Sequence, residues 1–453
     1  MSGVAALLIV LALVAGACGS GRGSDDASPD DTTGDTAVST AVTFGDLESP
    51  CGEGDAAGAT AQGVTADSIT IGYGDDAGYQ AAPGLSAELS DAMKAMIDWC
   101  NEQGGINGRT VVGNYYDAKV LEVNNVMSEA CTEVFFLVGQ GWVADSGQET
   151  ARQGCGLPAV PGYAVSPQFS NAPDMVAPVP NPVDYMPTEF AAAFSKMFPE
   201  EIKKTGLVYA NYPATVDPKD KVVATYPQYG FEFLPCDQIY GIAGESDWKP
   251  LAQKLKDCGA EAVYFAGSPY PNFENFLDAA NQIDYRPIWF SDANMYDETF
   301  ADWNVNGYAD KVYMRSSFPP LFEADQVKAV QDYIDIVTKS GGEVNQLGSQ
   351  AASAFLLWAT ATKTCGADVT RECVMAELKK VTQWTAGGLH SESNPGENLP
   401  PKCGMVLKLT GTEFERVQPE EVGTLDCSDD YVQPVTGPLI ERSNLVDRVA
   451  QPS

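Results

Sequence analysis

From Asp67 onward, short apolar runs alternate with stretches whose apolar residues recur at helical spacing, a pattern that fits a parallel sheet covered by helices on both faces. SITIGYG reads as the first strand. Leu85, Leu89, Ala92, Met93, Met96, Ile97 and Cys100 then mark one face of a helix, which Gly104-Gly105 ends. VVGNYYDA, VFFLVGQG and LPAVPGY continue as strands, with helices around Val123 to Cys131 and Gly147 to Gln153. Five prolines between Asn171 and Pro187 break the series. A second one follows: a helix near Phe190 to Phe198, then TGLVYA, YGFEFLPCDQIY, the helix DWKPLAQKLKDC, AEAVYFAG, the helix FENFLDAANQ and PIWFSD. The expected fold class is α/β with two doubly wound, Rossmann-like lobes, in keeping with a chain too long for one hydrophobic core. After KVYMRSS come two helical patterns, 326–340 and 349–364, the second apolar nearly all round and so expected to be buried. CGMVLKLTGTEFERVQP alternates like a hairpin.

Residues 1–17 hold an apolar run too short for a comfortable membrane span, closing on small residues before Cys18, as a cleaved export signal does. Ala15-Gly16-Ala17-Cys18 resembles a lipobox, whose cysteine is acylated and tethers the protein to the cell membrane. No Lys or Arg precedes the run and Ala15 stands where Leu is usual, so an ordinary cleaved signal is the alternative. Residues 18–62, which open on Gly, Ser, Thr and Asp, are expected to form a disordered tether. The formal charge of −35 argues against a nucleic-acid partner, since phosphate binding needs clustered Lys and Arg.

Eleven cysteines without a CxxC pair speak against a zinc ribbon, and setting Cys18 aside leaves ten in a chain bound for an oxidising compartment. Cys131 and Cys155 precede strands that would start at the same sheet edge, which makes them the first expected disulfide, and Cys236 and Cys258 flank consecutive strands in the same way. Cys51 with Cys100, Cys365 with Cys373 and Cys403 with Cys427 follow by elimination.

Catalytic and cofactor motifs are missing from the sequence. His390 is the only histidine and reads as a surface-loop residue, and there is no phosphate loop, HExxH or GxSxG. Gly72, Gly74 and Gly78 miss the dinucleotide spacing by one residue and are expected only to shape the first strand-to-helix turn. Asp75-Asp76 lacks the Asp/Asn ladder of a calcium loop, so a structural or solvated role is expected. The chain is expected to be no enzyme and to need no metal or cofactor.

GVTADSITIGYG, IDWCNEQGGINGRTV, YYDAK, LKDCGAEAVYFAG and TAGGLHSESNPGENLPPKCGMVLKLTGTEFERVQP, in this order and spacing, resemble the substrate-binding proteins of ATP-binding-cassette importers of the branched-chain amino acid type. The resemblance runs from about Gly63 to Pro419 and implies a type I periplasmic-binding fold, two lobes joined by a three-segment hinge near Pro182, Arg315 and Thr382. It implies lobe one from 63–182 plus 316–381, lobe two from 183–315 plus 382–430, and a tail at 431–453. It further implies a monomer that closes on a small-molecule ligand and delivers it to membrane permease subunits. A sensor of the same fold that signals to a membrane partner is the alternative.

The ligand is expected at the carboxyl ends of the strands, in GDDAGYQ, GQGWVAD, PGYAVS, ANYPAT, GSPYPNF and SDANMYD. Tyr79, Trp142, Tyr163, Tyr212, Tyr270 and Phe273 there can each offer a large apolar face. Where the family's amino-acid binders hold the carboxylate with a small hydroxyl residue and a threonine, this chain places Trp142 and Val165. The family's acidic partner for the ammonium falls on Ala293, beside Asp292. The expected ligand is accordingly apolar or aromatic in preference to leucine or valine.

Overall fold

The structure, a computed structural model, describes residues 42–443. The expected signal, Cys18 and the first part of the expected tether lie outside the described residues.

Lobe one is built on four parallel strands, β1 (Ser68–Asp75), β2 (Thr110–Asp117), β3 (Phe136–Val138) and β4 (Ala159–Val160), in the order β2-β1-β3-β4. Helices α1 (Ala87–Asn101) and α2 (Val123–Glu133) connect them. Strand β3 is shorter than its apolar run suggests, because the chain leaves the sheet at Gly139, which has a φ of 72°, to form a loop above it. Lobe two opens with α3 (Glu189–Met197) and continues through β5 (Thr205–Ala210), α4 (Pro213–Thr225), β6 (Gln238–Tyr240), α5 (Lys249–Cys258), β7 (Ala262–Ala266), α6 (Glu274–Gln282), β8 (Ile288–Ser291) and β9 (Val312–Ser316). The five strands lie parallel in the order β9-β8-β7-β5-β6.

The chain then returns to lobe one through α7 (Lys328–Lys339), α8 (Gln346–Thr364) and α9 (Arg371–Leu378). On α8, Phe355, Leu356, Leu357 and Trp358 are all fully buried, together with Met93 and Met96 of α1. That explains why its sequence is apolar on every side. The hairpin β10 (Cys403–Thr410) and β11 (Glu413–Gln418) completes the lobe-two sheet as antiparallel strands beside β9.

Five disulfides pair Cys51 with Cys100, Cys131 with Cys155, Cys236 with Cys258, Cys365 with Cys373 and Cys403 with Cys427. Helix α4 escapes the sequence pattern because Pro218, Asp217, Lys219 and Asp220 dilute its apolar face, although proline at its first position is a start signal.

Three segment boundaries differ from expectation. The expected tether is not free from Val42 on: Thr43–Phe44 pairs with Leu47–Glu48, Phe44 is fully buried in lobe one, and Cys51 is bonded to Cys100. Trp384, Ala386 and Leu389 pack into the lobe-one core, so the third crossing comes after Leu389 instead of near Thr382, and Ser391 N–H donates to Ser317 O across the hinge. The expected tail rejoins lobe two as far as it is described, with Val432–Pro434 paired to Tyr185–Pro187 and Leu439 buried.

Candidate interlobe binding site

Three buried aspartates fix the loops over lobe one. Asp76 accepts the Val120 N–H (2.5 Å) on one oxygen and the Val143 N–H (2.7 Å) on the other, stapling two loops to the end of β1. Asp75 accepts from Ala77 N–H and Tyr115 O–H, so this acidic pair is structural, and burial of both side chains rules out plain solvation. Asp145 takes the Val165 and Ser166 N–H groups at 2.7 and 3.1 Å and so sets the loop that carries Tyr163 and Val165.

Above these loops, between the lobes, lies a cavity of about 760 Å³. Tyr79, Tyr163, Val165, Tyr212, Tyr270 and Asp292 all line it. Trp142 does not: it is 1 % exposed and packs in a cluster with Tyr116 and Leu137 beneath the loop. The reason is local alternation. Gly141 lies against the Tyr163 ring, where a Cβ would stand 2.4 Å from a ring carbon, and Val143 lines the cavity, so the side chain between them turns inward. Phe273 also lies beneath its loop, fully buried and stacked on Phe265 at 4.2 Å.

Asp292 reaches the cavity wall already engaged. Arg315 Nε donates to its Oδ1 at 2.6 Å and Tyr264 O–H to its Oδ2 at 2.6 Å. Burial would raise the Asp292 pKa, but the Arg315 charge overrides it and holds the carboxyl below its ordinary value. Asp292, the residue beside the family's ammonium-partner position, thus already has two partners inside the protein.

The sequence reading passed over Arg315, Lys221, Glu189 and Glu88, all of which line the cavity. Arg315 sits at the end of β9, and Lys221 of α4 donates to Asn181 Oδ1 (2.7 Å) and Pro182 O (2.8 Å) on the first crossing. Glu88 belongs to the first turn of α1, where burial raises its pKa to about 8. His390, expected on a surface loop, is 3 % exposed, hydrogen-bonded to Ser353 Oγ (2.8 Å) and Ser391 O (2.7 Å), and packed on Phe318. Burial holds its pKa down at about 4, and it serves as a neutral link between α8 and the third crossing.

The buried acids set a pH dependence. Burial raises Asp76 to about 6, Asp145 to about 7 and Glu88 to about 8. A carboxyl with a raised folded pKa contributes stability that is fully present below its unfolded pKa and is lost as pH rises through the folded one. Lys221, pushed down to about 7 by burial, works in the opposite sense, its contribution falling as pH drops toward 7. Four acids, with Glu274 also raised to about 7, against Lys221 and the lowered His390 should make the melting temperature higher at pH 6 than at pH 8, by about 2–5 °C. A melting curve at each pH checks this, and a lower value at pH 6 would contradict it.

A family model described as periplasmic binding protein matches residues 68–411. No curated protein matches significantly. Among solved structures, a fatty acid ABC transporter substrate-binding protein from Thermomonospora curvata aligns with a TM-score of 0.67 at 14% identity, over 82% of this chain and 96% of its own. A solute-binding protein from R. palustris in complex with 4-hydroxybenzoate gives 0.62 at 17%, over 78% and 98%. The branched-chain amino acid transporter substrate-binding protein LivJ from Streptococcus pneumoniae, in complex with isoleucine, gives 0.61 at 15%, over 78% and 100%. At such identities the likeness speaks for the fold.

Proposed function

Since the chain belongs to the periplasmic binding protein family, we propose that it is the extracytoplasmic solute-binding component of an ABC importer and closes on an apolar or aromatic small molecule. The observation that carries this reading is the interlobe cavity, walled by Tyr79 and Tyr163 from lobe one and by Tyr212 and Tyr270 from lobe two. A ligand touching both walls is held fully only when the lobes are together, so it shifts the equilibrium toward closure, the state a permease would recognise. Val165 in place of a threonine, and Asp292 already paired with Arg315, both weaken the case for a branched-chain amino acid. In this reading Cys18 is the acylated anchor, and the protein works as a monomer held at the membrane surface.

A thermal-shift screen of the purified protein against amino acids, aromatic acids and aliphatic acids tests the ligand class. Ligand at 100 times its dissociation constant should stabilise the native state by about 2.7 kcal/mol. Shifts confined to the aromatic and aliphatic compounds are expected. A shift with leucine, isoleucine or valine and none with those compounds would overturn the ligand class.

A further inference from the structure

The polar groups on the lobe-two wall of the cavity are unevenly satisfied. Arg315 uses only its Nε, on Asp292, and among the described residues no acceptor lies on its two terminal nitrogens, although its side chain is 22 % exposed at the cavity. A guanidinium edge with two parallel N–H groups matches the two oxygens of a carboxylate. In its protonated form Lys221 uses two of its three donors on the first crossing, leaving one, and it too lines the cavity. Glu189 lines the same region with Oε2 enclosed and without a partner. Burial raises the Glu189 pKa, and the nearby Arg315 charge opposes that rise. Glu88, Asp297 and Glu343 line another part of the cavity, away from Arg315, with no salt-bridge partner among the described residues.

We propose that the ligand is an anion, an apolar or aromatic carboxylate whose carboxyl group docks on the terminal nitrogens of Arg315 beside Lys221, so that lobe two holds the charged end. This rests on the solute-binding reading above and adds the substrate's charge and orientation. The apolar remainder then lies among Tyr163, Tyr212 and Val165. The arrangement reverses the polarity that an acid at the Asp292 position would give: the acid serves to orient the guanidinium, and the guanidinium faces the ligand.

The test is isothermal titration of the purified protein with matched series, benzoate, benzamide and benzylamine, and octanoate, octanamide and octylamine. Carboxylates should bind about 10–100-fold tighter than their amides. In the Arg315→Gln/Asp292→Asn double variant, which removes both charges of the pair together, that preference should shrink to within about threefold while amide affinity holds. Lys221→Met provides an independent variant and should reduce the preference in part, with melting curves confirming that each variant folds. Equal binding of carboxylate and amide, tighter binding of the amines, or a preference that survives both variants overturns the anion site and leaves the solute-binding reading standing. If no member of either series binds, the apolar-ligand reading falls, and the anion site with it.

Discussion

Arg152→Met is expected to destabilise the protein by about 3–5 kcal/mol, measured by chemical denaturation. The guanidinium is fully buried and spends its donors on both Glu149 oxygens (2.7 and 2.8 Å), on Asp174 Oδ1 (2.7 Å) and on Leu157 O (2.7 Å), with its face 5.3 Å from the Phe169 ring centroid. Removing it strands a carboxylate that is itself almost wholly enclosed, and the uncompensated charge costs more than the lost hydrogen bonds. Arg152→Met with Glu149→Gln should recover part of the loss, because the stranded charge is gone. Equal stability of Arg152→Met and wild type would mean that water reaches this site.

Tyr163→Ala is expected to weaken binding of an apolar carboxylate on the order of 30-fold, where Tyr270→Ala changes it by less than about threefold. Tyr163 is held in place by close packing against Gly141, so its ring is pre-positioned and little entropy is lost when ligand arrives. Tyr270 is 45 % exposed at the rim and must be ordered on binding. Titration of both variants with octanoate or benzoate measures the contrast. A larger loss at Tyr270 would place the ligand at the mouth of the cavity.

Much of the molecule could be read from residue order alone because its strands and helices carry their own periodicity: SITIGYG and the Leu85 to Cys100 face map onto β1 and α1 with small shifts at the ends. Loop position also identified where the cavity would be. What loop position does not contain is the direction of a side chain, and Trp142 and Phe273 point down into packing while their neighbours face the cavity. Arg315 was hidden for a different reason. A lone arginine at the end of a strand reads as a hinge residue until the fold sets Asp292 against its Nε and leaves its other nitrogens to the cavity. Lys221 was missed with its helix. His390 shows the converse error, where a Gly- and Ser-rich stretch suggested exposure but the chain passes through the core between Phe318 and Ser353. The segment from Val42 to Cys51 shows the same: few apolar residues, but Phe44 and one disulfide bind it to lobe one.

Lobe one closes its core only when α8 packs against α1, and most of lobe two, from α3 to β9, lies between them in the chain. A chain that crosses a membrane from its amino terminus therefore delivers the first half of lobe one long before the helix that covers it. During that interval the apolar side chains of β1 and α1 are exposed, while lobe two already has most of its own partners. The nested order of segments thus leaves lobe one incomplete until α8 has been delivered, the interval in which its uncovered apolar surface favours aggregation.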